Sequence, residues 1–305
     1  MGEYLVRRLV HSVLSLIGLV ILVFFLARLT GNPADLYLPV DAPESVRQQF
    51  IELHGLDDPT HVQFGRFLAD LVQFDFGRSL YLGRPALDVV LDAIPTTLML
   101  AGISMGLALF ISIVVGSLAA WKPQSVFDRL ASMISLISAS IPNFWLAIVG
   151  VLFFALWLRW VPTSGTGTIV QWFLPVMVLF IRPCGLIVQV VRGSMVGALS
   201  SAYVKTAIAK GVGSRAIIFV HALRNAMLPV ITVAGDQAAG IINGAVIVET
   251  IFGFPGIGKL MIEAIYNRDF AVIQAAVMVT AVAIFVMNIV IDLAYALLDP
   301  RIRHT

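Results

Sequence analysis

Three observations point to an all-α membrane protein with six transmembrane helices. The 305 residues are 59% hydrophobic and only 12% charged, and the mean hydropathy is +0.94. A soluble domain, whose charged share runs near a quarter, could not keep that much apolar surface from water. Apolar runs long enough to cross hydrocarbon recur along the chain, at about 9–29, 95–120, 132–158, 171–191, 229–250 and 272–297. The cations collect in the segments between alternate runs, the asymmetry that sets orientation in a bilayer.

The first run follows Arg7 and Arg8, and from Leu9 to Ala27 it is about 19 residues, or about 28 Å as a helix. That length spans a membrane, exceeds a usual signal core and lacks a small-x-small cleavage site, so it reads as a retained span rather than a leader. The 31–94 segment carries its own helical signals. "PESVRQQFIELHG" reads as a helix with Gly55 at its C-terminal end, and "PTHVQFGRFLADLVQFDFG" as another that starts after Pro59 and closes at Gly77. "RPALDVVLDAIP" is amphipathic and leads into the second run. Pro95 and Pro229 are expected at the starts of spans, where a missing N–H costs least.

With the N-terminus inside, the inner segments hold Arg7, Arg8, Lys122, Arg129, Arg192, Lys205, Lys210, Arg215, Arg224, Arg301 and Arg303, against Glu3, Asp128 and Asp299. The 31–94 segment, placed outside, has four Arg and ten Asp or Glu. The opposite placement would reverse the positive-inside bias, so both termini are expected in the cytoplasm. The organisation expected is a cytoplasmic end and first span at 1–30, an external helical segment at 31–94, and a core of five spans at 95–305.

Several chemistries find no support. Cys184 is the single cysteine, so an intrachain disulfide cannot form, and His11, His54, His61, His221 and His304 lack helical metal-site spacing. "GFPGIGK" (Gly253 to Lys259) matches the start of a phosphate loop, but Leu260 stands where a Mg²⁺-binding hydroxyl is required, and the sidedness puts the stretch outside. It reads instead as an external turn before a short helix, "KLMIEAIYNRDF". "PTSGTG" (Pro162 to Gly167) has no partner base within a span and no GxSxG elbow, so a protease is not supported and no enzymatic activity is expected of this chain.

Ionisable residues inside spans are functional candidates by default. Arg182 lies near the middle of the fourth run, Asp236 and Glu249 toward opposite ends of the fifth, and Asp292 near the inner end of the sixth. Arg182 and Asp236 admit two readings: an ion pair that fixes span packing, or an Arg182 that lines a polar pathway and meets anionic groups of a solute. The pathway candidates are Arg182, Asp236, Asn243 and Glu249. Intramembrane carboxylates also leave open an ion-coupled secondary transporter.

The 192–229 segment is the most basic of the chain, with Arg192, Lys205, Lys210, Arg215 and Arg224 and no carboxylate. From Ala202 to Lys210, Tyr203/Ala207 and Val204/Ile208 fall on one helical face, and Lys205, Thr206, Ala209 and Lys210 on the other. Gly211 and Gly213 break the helix. Ser214 is placed to cap a second helix, in which Ala216, Phe219, Val220 and Leu223 recur at i, i+3, i+4, i+7. A helix, a glycine bend and a helix at the cytoplasmic surface suit contact with lipid headgroups or docking of a cytoplasmic partner. The patch is poor for nucleic acid, because few aromatics accompany the cations.

At these residues the chain resembles a known family. "YVKTAIAKGVGSRAIIFVHALRNAMLPVI" resembles the cytoplasmic coupling loop of ABC-importer permeases, in the form used by the dipeptide, oligopeptide and nickel branch. "YLVRRLVHSVLSLIGLVILVFFLARLTGNPAD", "HGLDDPTHVQFGRFLADLVQFDFGRSL", "SIPNFWLAIVGVLFFALWLRWVPTSG", "VIVETIFGFPGIGKLMIEAIYNRDFAVIQ" and "LAYALLDPRIR" look like further blocks of that branch, in the same order and across nearly the whole chain. Two features depart from the wider pattern. Lys205, Thr206 and Ala207 stand where the family loop opens with Glu-Ala-Ala, and the spacing from Gly211 to Leu228-Pro229 is longer. Arg182 is not part of the family pattern.

The resemblance implies a type I importer permease fold and one half of a transmembrane dimer, paired with a related but non-identical permease in a bacterial inner membrane. It implies two cytoplasmic ATPase subunits, which would bind the ATP and Mg, and an external solute-binding protein that delivers a short peptide or similar small polar solute. This chain would bind no cofactor of its own. The residues implied in ATPase coupling are Tyr203, Lys205, Thr206, Ala207, Ile208, Ala209, Lys210 and Gly211.

Overall fold

The computed structural model describes residues 2–29, 31–39 and 41–298, with side chains from 14 to 291. Asp299, Arg301, Arg303, the side chain of Asp292 and those of Glu3, Arg7 and Arg8 lie outside the described residues. The described residues are helical: α1 (Gly2–Leu29), α2 (Ala34–Tyr37), α3 (Glu44–Leu53), α4 (Thr60–Val72), α5 (Ala86–Trp121), α6 (Val126–Ser140), α7 (Asn143–Gly150), α8 (Ile169–Leu199), α9 (Ala202–Ala209), α10 (Ser214–Ala216), α11 (Leu223–Phe252), α12 (Ile257–Tyr266) and α13 (Phe270–Leu298). Two stretches, Val151–Trp157 and Ile217–Ala222, are wound as π-helix. Extended pairing among the described residues is confined to one bridge, between Arg78 and Pro85.

Among the described residues, four helices are long and apolar enough to cross a membrane: Ala86–Trp121, Ile169–Leu199, Ser214–Phe252 and Phe270–Ile291. A fifth is formed if Val126–Ser140 and Asn143–Trp157 count as one span, and Leu14–Leu29 is a shorter apolar helix. Two expectations are corrected. Pro95 and Pro229 do not start helices; they lie inside α5 and α11, and the amphipathic "RPALDVVLDAIP" runs straight into α5. A membrane helix tolerates an interior proline because neighbours and local adjustments satisfy the freed carbonyl. The run expected as one span at 132–158 is broken, with its halves 99° apart. The break follows from Pro142, which disfavours the helical region for the residue before it. Ile141 is extended, at φ −83° and ψ 128°, and Pro142 precedes α7 as its N-cap.

The chain forms two compact units. The first comprises 1–96 and 255–285. Its core gathers Val23, Ala27, Ala86, Val90, Ile257 and Val272, with Phe24 stacked against Phe67 and the Arg28 guanidinium 3.4 Å above the Phe24 ring. The triplet Asn267-Arg268-Asp269 ties this unit's loops together. The Tyr37 hydroxyl donates to the Asn267 carbonyl (2.8 Å), and Arg268 Nη1 donates to the Asn32 carbonyl (2.8 Å). The buried Asp269 accepts from Ser79 Oγ (2.5 Å) and from the Tyr81 N–H (3.2 Å).

The second unit comprises 97–254 and 286–305. One core cluster includes Leu100, Ala147, Leu174, Leu179, Val248 and Phe252, and another Ile187, Val191, Met195, Ala222, Ala226 and Val230. Helix α8 is central to both. Small residues let its neighbours approach closely, as membrane helix pairs require. A Cβ on Gly185 would stand 2.4 Å from the Ser135 carbonyl oxygen of α6, and one on Gly116 would stand 3.0 Å from the Val188 carbonyl oxygen.

Candidate functional site

Two sites in the second unit hold nearly all the residues singled out from the sequence. The first is the basic loop. Helix α9 follows Ser200 and Ser201 at the end of α8 and packs against the π-helical turn at 217–222. Val204 is its anchor, 1% exposed, and Ala207 is half-buried beside it. The two-faced reading is only partly met, because Tyr203 and Ile208 are 42% and 55% exposed. The outward surface of α9 therefore joins Tyr203 and Ile208 to Lys205, Thr206, Ala209 and Lys210. The Thr206 hydroxyl is turned back onto its own helix, donating to the Ala202 carbonyl (3.1 Å).

Gly211 closes the helix, with φ +77°, a left-handed value that a side chain resists. The Gly211 N–H meets the Ile208 carbonyl (2.9 Å) and the Val212 N–H meets the Ala207 carbonyl (3.1 Å). This crossed pair is a Schellman motif, which satisfies carbonyls the helix end would otherwise leave bare. Beyond it the structure differs from expectation. Gly213, not Ser214, is the N-cap, and no side-chain capping bond forms. Ile217, Ile218 and Ala222 are buried, while Phe219 and Val220 are exposed. The π turn between 217 and 222 carries an extra residue per turn, so the 3.6-residue period assigns the wrong side chains to the core.

The second site is a cavity of about 350 Å³ lined by Arg182, Asp236, Asn143, Gln237 and Asn243, with Leu179 and Ile241 among its apolar walls. Arg182 and Pro183 come from α8, Asp236 to Asn243 from α11, and Asn143 from the start of α7. Arg182 and Asp236 share this cavity without forming an ion pair, which corrects the packing-pair reading. Asp236 accepts from Gln237 Nε2 (3.1 Å), and among the described residues the Arg182 guanidinium makes no hydrogen bond or ion pair. Asn143 Oδ1 is buried and finds no donor. Sequence reasoning missed Asn143; its signal was an amide inside an apolar run, directly after a proline.

Glu249 lies elsewhere. It is fully buried and accepts a hydrogen bond from Thr97 Oγ1 (2.6 Å), and it does not line the cavity. The phosphate-loop look-alike consists of helix ends: Gly253 is the left-handed C-cap of α11 at φ +68°, and Gly256 is the N-cap of α12.

Comparisons with known proteins agree on one family. Residues 112–304 match the model of the binding-protein-dependent transport system inner membrane component. The chain is 37% identical over 316 aligned positions to the oligopeptide transport system permease protein AppB of Bacillus subtilis (strain 168), with both chains covered in full. It is 36% identical over 333 positions to the dipeptide transport system permease protein DppB of Alkalihalophilus pseudofirmus, again with both covered in full. Among solved structures, an inward-facing form of the MetNI methionine ABC transporter shares the fold at a TM-score of 0.59 and 15% identity, over 69% of this chain and 96% of that one. The helices, the basic loop and these relatives together make the chain a member of the binding-protein-dependent transport system inner membrane component family, the permease subunits of ABC importers.

Proposed function

We propose that this permease carries short peptides, or small polar solutes like them, across a bacterial inner membrane. The solute is handed over by an external binding protein and movement is powered by two cytoplasmic ATPase subunits. A second, related but non-identical permease completes the pathway. ATP and Mg belong to the ATPases, and this chain holds no cofactor. Six spans cross the bilayer: α1 is the first, and the bent pair α6–α7 with its π-helical continuation is the third. Residues 31–94 stand outside and both termini lie in the cytoplasm. The excess of cations in the inner segments supports that orientation. Family membership makes ATP-driven import the reading, in place of an ion-coupled carrier using Asp236, Glu249 or Asp292.

The observation that carries the coupling role is the outward surface of α9. A short helix pinned at Val204 and stopped by Gly211 presents Tyr203, Lys205, Thr206, Ile208, Ala209 and Lys210, with Ala207 at its margin. Exposed apolar side chains among cations suit a groove on an ATPase better than water. Closure of the ATPase pair pushes α9, and the helices attached to it move as packed bodies that open the pathway alternately to either side. Arg182, Asp236 and Asn243 line the solute's route, while Glu249 supports it from within the packed core. The test is Gly211→Asp. A Cβ at 211 meets nothing within 4 Å, and aspartate bears the left-handed φ of +77° better than most side chains, so the strain stays local to the end of α9 and the subunit still reaches the membrane. The added carboxylate falls where the partner docks. In reconstituted vesicles, ATP hydrolysis persists while uptake of peptide falls at least tenfold. Uptake at the wild-type rate would remove the docking model.

A further inference from the structure

The cavity between α7, α8 and α11 holds two opposite charges that do not meet. Arg182 stands about 15 Å of helical rise from Arg192 and near the middle of α8, at the depth where a charge is most expensive. Both Arg182 and Asp236 are exposed in this chain, facing open space rather than each other, and an exposed guanidinium at mid-span depth requires a polar path or a ligand. Asp236 opens onto the same 350 Å³ space, a size typical of small-molecule sites. Asn143 Oδ1, buried and without a donor, and Asn243 add amide groups to the lining. Left to themselves, Arg182 and Asp236 would gain by closing on each other, yet no ion pair joins them within 4 Å. Such a geometry answers a solute that brings one charge of each sign. The termini of a tripeptide lie up to about 10 Å apart when extended, so they can reach separated partners.

We propose that this cavity is a subsite for zwitterions, in which Arg182 takes the carboxylate and Asp236 the ammonium of the passing solute. This rests on the reading of the chain as a peptide-type importer. The bidentate fork of an arginine suits a carboxylate, and the Asn143 carbonyl oxygen is an acceptor for a backbone or terminal N–H. Peptides with both ends free would then be preferred inside the membrane, independently of any choice made by the binding protein.

The experiment uses the assembled complex in two settings. ATP-driven uptake of trialanine into proteoliposomes, with the binding protein present, tests the importer reading. Equilibrium binding of radiolabelled trialanine to the detergent-solubilised complex without the binding protein tests the subsite, with N-acetyl-trialanine and trialanine amide as competitors. The wild-type complex favours trialanine over each blocked peptide about tenfold. Arg182→Met loses the discrimination against the amide and keeps that against the acetylated peptide; Asp236→Asn shows the reverse. Uptake with both discriminations unchanged in the two variants, or uptake with no trialanine bound by the wild-type complex, overturns the subsite and leaves the importer reading standing. Absence of uptake by the wild-type complex overturns the peptide reading and the subsite with it.

Discussion

Arg192 on α8 grips Asp128 at the start of α6 with two hydrogen bonds, Nε to Oδ1 and Nη2 to Oδ2, the latter 2.7 Å long. The carboxylate is nearly sealed, with 3% of its side chain exposed, and it also accepts from the Gln124 N–H (2.8 Å). A bidentate pair of this kind fixes direction as well as distance. It fastens the bent α6–α7 pair to the helix that leads, through Ser200 and Ser201, into α9.

Removing one member strands the other. Arg192→Met leaves a buried carboxylate without its counter-ion, a loss of about 3–5 kcal/mol. The midpoint of thermal unfolding in detergent drops accordingly, and Asp128→Asn in the same chain restores part of it. If the single and double variants melted alike, the two side chains would not be coupled in the folded protein.

Thr97 and Glu249 make a second buried link, 152 positions apart in sequence. Thr97→Val keeps the shape and deletes the donor, which costs about 1–3 kcal/mol for a buried acceptor. Thr97→Ser keeps the hydroxyl and stays near wild type. Wild-type stability in Thr97→Val with a loss in Thr97→Ser, followed by denaturation of the solubilised subunit, would assign the effect to packing of the threonine methyl instead.

Gly185 tests the approach of α6 to α8. An added methyl group meets the Ser135 carbonyl oxygen at 2.4 Å, and backbone cannot swing aside as a side chain can. Gly185→Ala therefore destabilises by about 1–3 kcal/mol, whereas Gly197→Ala on the same helix, where a Cβ meets nothing within 4 Å, has little effect. Similar melting of the two variants would show that the helices can separate freely.

Much of this protein is legible one residue after another. Apolar runs mark the long helices, because burying twenty or so apolar side chains in hydrocarbon needs no distant partner. Helix α9 and its stop at Gly211 were legible for a similar reason: a positive φ and a crossed pair of hydrogen bonds are local events. The helices at 44–53 and 60–72 were likewise announced by the prolines before them, at Pro43 and Pro59.

Other features depend on neighbours and left weaker traces. The 132–158 run reads as a single span, and both the break at Pro142 and its 99° bend belong to the fold, since the angle is set by what each half packs against. The π turn at 217–222 shifts the buried set from Phe219 and Val220 to Ile217, Ile218 and Ala222, and no propensity scale registers an extra residue per turn.

Composition and charge order were enough to mark a chain rich in membrane-length apolar helices with a basic loop among them, because hydropathy and charge are sums over short stretches of chain; membership in the permease family rests on likeness to its relatives. The meeting of Asn143, Arg182 and Asp236 around one cavity, and the withdrawal of Glu249 into a bond with Thr97, came from the packed helices alone. Electrostatic partners act through space over a few ångströms, and the chain brings those ångströms together only when it folds.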